Sequence, residues 1–73
     1  MDILDDNGFT FKKKGAGCTR IFEKGDIEIH LNRCVGKVAA FDSNGNPILK
    51  RFFTPYSYRI DIEEFINELN EKT

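Results

Sequence analysis

The sequence predicts an α+β fold, an antiparallel β-meander of four to five strands with one C-terminal amphipathic helix packed on one face. Three observations predict it. Across residues 9–54, short alternating or β-branched apolar segments are separated by Gly- and Asn-rich turns. The period then switches: Ile62, Phe65, Ile66 and Leu69 fall at i, i+3, i+4 and i+7, one stripe of a helix. Finally, 73 residues make a single domain, and 40% hydrophobic content with seven Phe supplies enough bulky surface for an ordinary core.

Residues 1–8 read as a flexible acidic leader ending in Asn7-Gly8. The first strand is expected over 9–14, where Phe9-Thr10-Phe11-Lys12 alternates, and Gly15-Ala16-Gly17 breaks it. The second, 18–24, carries Thr19, Ile21 and Phe22, types that favour a pleated surface. Lys24-Gly25-Asp26 signals a tight hairpin. The third strand, 26–32, alternates strictly: Ile27, Ile29 and Leu31 on one face, Glu28 and His30 on the other. A fourth follows over 34–42. Asp42-Ser43-Asn44-Gly45-Asn46-Pro47 is the strongest turn, with Asn-Gly favouring type I′ geometry. The fifth, 47–54, ends at Pro55.

The helix is expected over 61–72, capped by Asp61 with Glu64 three residues on, as in a capping box. Glu63 and Glu64 at its start and Lys72 at its end suit the helix dipole. Too short to be stable alone, it must dock its stripe on the sheet.

Charge is segregated along the chain although the net value is −1. Residues 1–8 hold three Asp and no base; residues 9–59 hold ten Lys or Arg against four acids; residues 60–73 hold five acids against Lys72. A basic sheet is thus flanked by acidic ends. Sheet bases can balance helix acids and protect strand edges. Alternatively, Lys12, Lys14, Lys37, Lys50 and Arg51, interleaved with Phe, form a platform for single-stranded nucleic acid. The pI near 5.7 counts against that.

Apolar residues on both faces of the last two strands point to contact with another protein or a second copy of the chain. Ile48-Leu49, Phe52-Phe53 and Val38-Ala39-Ala40-Phe41 all break alternation, and one helix covers only one face. Either the sheet closes on itself like a barrel, or its second face meets a partner. Phe53, Tyr56, Tyr58 and Arg59 are the candidate contact residues, since Tyr and Arg are enriched at binding hot spots.

Chemistry-bearing motifs are weak. Cys18 and Cys34 are expected to be free thiols packed as small hydrophobes, a disulfide being open to them only if the strands that carry them are neighbours. With the single His30 they do not match the paired spacing of zinc modules, and no metal or cofactor is expected. His30 falls on the polar side of its strand, facing solvent. The Asp42 turn imitates a calcium loop, but its glycine is misplaced and Phe53 stands where the last ligand belongs. Gly15-Ala16-Gly17 lacks the Lys-Ser/Thr of a phosphate loop. Catalysis by either cysteine would need His30 beside it and a third group to position it. These absences favour a non-enzymatic regulatory module, of the size of accessory, phage or mobile-element proteins. The acidic start lacks an export signal, and the longest apolar run, Val38 to Phe41, is far short of a membrane span. A cytoplasmic location is expected.

Overall fold

The computed structural model describes residues 3–72. Five strands, β1 (Thr10–Lys14), β2 (Thr19–Lys24), β3 (Ile27–Asn32), β4 (Lys37–Phe41) and β5 (Pro47–Phe52), form one antiparallel sheet in chain order. A single turn of helix, α1 (Ile3–Asp6), precedes them, and α2 (Tyr58–Lys72) follows. β1 and β5 are its two edges, so the sheet is open and the barrel-like alternative does not hold. Each β-connection is short and local, the connectivity that consecutive hairpins impose.

Three turns set the register. Gly25-Asp26 is a two-residue loop with Lys24 opposite Ile27, and Gly25 takes the positive φ (59°) that the hairpin requires. The Asn44-Gly45 turn is not type I′. Only Gly45 has positive φ, whereas type I′ needs it at both central residues. Instead the Asp42 carboxylate accepts the N–H groups of Asn44 and Asn46, and Gly45 N–H donates to the Asp42 carbonyl. Between β3 and β4 the turn runs longer than expected. The Asn32 side chain accepts the N–H groups of Cys34 and Val35, holding 33–36 out of the ladder.

Helix α2 begins one turn earlier than the sequence pattern predicts, and Ser57 rather than Asp61 caps it. Asp61 N–H donates to the Ser57 carbonyl at 2.8 Å, the first helical bond. Thr54 N–H donates to Ser57 Oγ and Ser57 N–H to Thr54 Oγ1, tying the approach. Asp61 is thereby released for another partner.

The core lies between the sheet and α2. Phe22, Ile29, Leu31, Val38 and Ala40 meet Ile62, Phe65, Ile66 and Leu69, all buried. Residues 3–8 are not a loose leader. Ile3 and Leu4 are buried in the same core, and Phe9 N–H donates to the Leu4 carbonyl at 2.9 Å. The acidic positions hid this: Asp5 and Asp6 face outward while the two apolar residues before them point in. At the opposite end, Phe53 is held inside by its N–H bond to the Gly36 carbonyl. A Cβ on Gly36 would stand 2.3 Å from the Phe53 carbonyl oxygen, and Gly36 has φ +82°, so no other residue fits there without strain.

Cys18 and Cys34 are joined as a disulfide, with Cα atoms 6.1 Å apart. The expectation of free thiols is corrected by topology. Thr19 and Asn32 are cross-strand partners, so Cys18, one residue outside, and Cys34, two residues outside, approach one another at the sheet end. Spacing of sixteen in sequence does not reveal this; adjacency of β2 and β3 does.

Candidate functional site

The face of the sheet away from α2 is uncovered in the protein, and three cross-strand rows compose it. Directly opposed residues share a face, so the first row is Thr10, Glu23, Glu28 and Phe41. Next come Lys13, Ile21, His30, Ala39 and Lys50, then Thr19, Asn32, Lys37 and Phe52. Ile21 and Ala39 are buried without any layer above them. Larger side chains surround them. His30 tilts against the Phe41 ring at 4.6 Å between centroids, and Lys12, in the β1 bulge, reaches over to Glu28.

The two ends of this face differ in charge. At the end of the 25–26 and 42–46 turns, Lys12, Glu23, Asp26, Glu28 and Asp42 line a shallow hollow of about 460 Å³. Lys12 Nζ lies 2.6 Å from one Glu28 oxygen and His30 Nε2 3.3 Å from the other. The hydrogen bond from Lys12, then that from His30, holds the Glu28 carboxyl below the usual range, and Glu28 raises Lys12 in return. Four acids against one Lys make this end negative. At the other end a hollow of about 240 Å³, floored by Ala39, is bordered by His30, Phe41, Asn32, Thr19 and Lys37. Phe52 stands beside Lys37, 61% exposed, with Lys50 Nζ 5.8 Å from its ring. Lys37, Lys50 and Lys13 have no carboxylate within ion-pair distance among the described residues.

The residues expected to contact a partner do not form one surface. Phe53 is core, packed edge-on against Tyr58 at 5.1 Å. Tyr58 is half-buried with the Arg33 guanidinium 4.1 Å over its ring. Arg59 pairs with Glu63 one turn along α2, and Tyr56 is fully exposed. Alternation across β5 explains the exchange: Phe52 points out and Phe53 in, so the exposed aromatic is the neighbour of the one expected. Ile48 and Leu49 both pack against the core, because a register shift at Ala40/Phe41 bulges the strand.

The five candidate nucleic-acid bases are likewise divided. Lys12, Lys37 and Lys50 serve the open face, and Lys12 is tied to Glu28. Lys14 lies on the helix side, opposite Arg20. Arg51 is also on that side, clamped to α2: its Nε donates to Asp61 Oδ1 at 3.0 Å, and its terminal nitrogens meet Glu64 and Glu68. Ser57 Oγ also donates to Asp61 at 2.6 Å; that bond, then Arg51, lowers the Asp61 carboxyl below its ordinary range. Here helix acids balance a sheet base.

With the cysteines joined to each other, neither offers a thiolate to a metal or substrate, and no group of three or more metal-ligating side chains occurs among the described residues. No helix among them is long and apolar enough to cross a membrane. The class defined is a small α+β meander-and-helix domain with an open, charge-polarised sheet face. Compared with known proteins, the chain matches no family model, no curated protein and no solved structure.

Proposed function

We propose that this protein is a small non-enzymatic binding module that pairs with a second copy of itself through the open sheet face. One observation carries the reading: the face is negative at one end of the strands and positive at the other, with Phe52 and Phe41 between flexible charged stems. A two-fold axis running across the strands sets the negative end of each copy over the positive end of the other. Glu23 and Glu28 then approach Lys37 of the second copy, and Phe52 is covered from both sides. Such an isologous contact is the commonest way for one chain to satisfy a self-complementary surface.

Size sets the strength. Five strands about 4.8 Å apart and five or six residues long present roughly 400 Å² per copy, near the lower bound of about 1,000 Å² in total for a specific interface. The dimer is therefore weak, concentration-dependent and loosened by salt. Carboxylates at one end of the same face repel phosphates, which weighs against a nucleic-acid strand lying along it.

Sedimentation equilibrium across a hundredfold range of concentration tests the proposal. Dimer formation abolished by Lys37→Glu, and restored by mixing that variant with Glu28→Lys, is the expected result. A chain that stays monomeric throughout, or a dimer indifferent to both reversals, overturns it. The disulfide also favours an oxidising surrounding over the reducing cytosol expected from the N-terminal composition. Alkylating free thiols in intact cells before lysis decides between them.

A further inference from the structure

At the sheet end that carries the disulfide, a third hollow has a different character. We propose that the hollow formed by Lys14, Arg20 and Arg33 binds a small phosphoryl anion. It measures about 290 Å³ and is lined by Lys14, Gly17, Thr19, Arg20, Leu31, Arg33 and the Cys18–Cys34 disulfide. Three bases line it and no acid does. None of the three has a carboxylate within ion-pair distance among the described residues.

Lys14 and Arg20 are directly opposed across the β1–β2 ladder. Like charges in that position repel and destabilise a sheet. Two other sheet bases are neutralised at close range, Lys12 by Glu28 and Arg51 by three helix acids, whereas the unpaired Lys13, Lys37 and Lys50 do not gather in one hollow. Here three bases share a hollow without an acid, so an anion from outside is the missing counter-charge.

Positioning supports the same conclusion. The Arg33 guanidinium carbon lies 4.1 Å over the Tyr58 ring, and that of Arg20 6.0 Å from the Phe11 ring. Aromatic faces orient guanidinium groups without consuming their N–H donors. The donors stay free for bidentate contact with phosphoryl oxygens. Asn32 and the disulfide brace the turn that carries Arg33, through Asn32 bonds to the N–H groups of Cys34 and Val35. A single hollow of this size suits a compact phosphorylated molecule better than a polymer, which needs a groove. Lys14 and Arg20 are on the opposite side of the sheet from the proposed dimer contact, and the site does not depend on that contact.

The experiment is a titration of the full disulfide-bonded chain with inorganic pyrophosphate, read by calorimetry and by amide NMR shifts. Shifts centred on Arg20, Arg33 and Cys34 are expected. Arg33→Ala and Arg20→Ala should each weaken binding by about tenfold or more, the size of losing a charge-assisted hydrogen bond. Arg59→Ala, outside the hollow, should leave affinity unchanged, and amide spectra of each variant verify the fold. Absence of pyrophosphate binding, or binding that ignores Arg33→Ala, overturns the proposal. So does binding of a mixed-sequence oligonucleotide by these residues without any affinity for pyrophosphate, which would make the hollow part of a nucleic-acid surface.

Discussion

The two faces of the sheet bury their apolar residues by different means. On the helix side, Ile29, Val38 and Ala40 disappear beneath Ile62, Phe65 and Leu69, a second layer of secondary structure. On the open side, Ile21 and Ala39 reach 7% exposure with no second layer over them, among larger neighbours such as His30 and Phe41. Long amphipathic side chains cover apolar surface while keeping their charged heads in water. One helix therefore suffices for a five-stranded sheet, provided the other face carries few large apolar groups. The difference also underlies the proposed self-association. Where α2 covers the sheet, Ile29, Val38 and Ala40 have no surface left to offer, whereas the open side keeps Phe52 exposed.

Truncation in the core should break this contrast most sharply. Phe65→Ala removes a fully buried ring from α2 and is expected to cost about 3–5 kcal/mol. Phe52→Ala on the open face should stay within about 0.5 kcal/mol while weakening self-association. Urea denaturation of both variants measures it, and similar losses would mean that the open face is a second core. Replacing Cys18 and Cys34 together by Ser opens a loop of sequence separation 16 and should lower stability by about 3 kcal/mol. The same titration with and without reductant checks this on the native chain.

Gly36→Ala should cost about 1–3 kcal/mol from its positive φ alone, with the clash against the Phe53 carbonyl added. Because Phe53 leaves its place with that carbonyl, loss of the Phe53–Tyr58 ring contact is the expected NMR signature. Acid should act more gently. Both Asp61 and Glu28 have carboxyls lowered in the folded state. Their contributions are complete above the ordinary carboxylate range and disappear as pH falls through the lowered folded values. Asp61→Asn should flatten this acid limb more than Glu28→Gln, since the Asp61 side chain is 17% exposed and that of Glu28 35%. Melting temperatures between neutral and strongly acidic pH compare the two.

Local periodicity made most of the fold legible. Strict alternation through Ile27, Ile29 and Leu31 marked β3, and the stripe from Ile62 to Leu69 marked α2, because both patterns follow from backbone geometry and survive in any context. The N-terminal segment is not legible as core, because two apolar residues among three acids carry no period. Ser57 caps α2 without the Glu or Gln three residues on that marks a capping box, since Ile60 stands there, whereas Asp61 is followed by Glu64. The candidate sites were less visible: a site gathers residues from several strands, and their sharing a face depends on register.

The sequence by itself therefore determined the five strands and the C-terminal helix, their order and the segregation of charge along the chain, all of which are properties of neighbouring residues. Tertiary structure alone decided that Phe53 is core and Phe52 surface, because a one-residue slip in register reverses a strand's faces. It alone decided that Cys18 meets Cys34, since the bond depends on β2 lying beside β3. And it alone decided that Arg51 belongs to the helix, through Asp61, Glu64 and Glu68, while Lys14, Arg20 and Arg33 are left together without an acid. Ion pairs and bonds of this kind depend on distance in space, which a linear pattern does not contain.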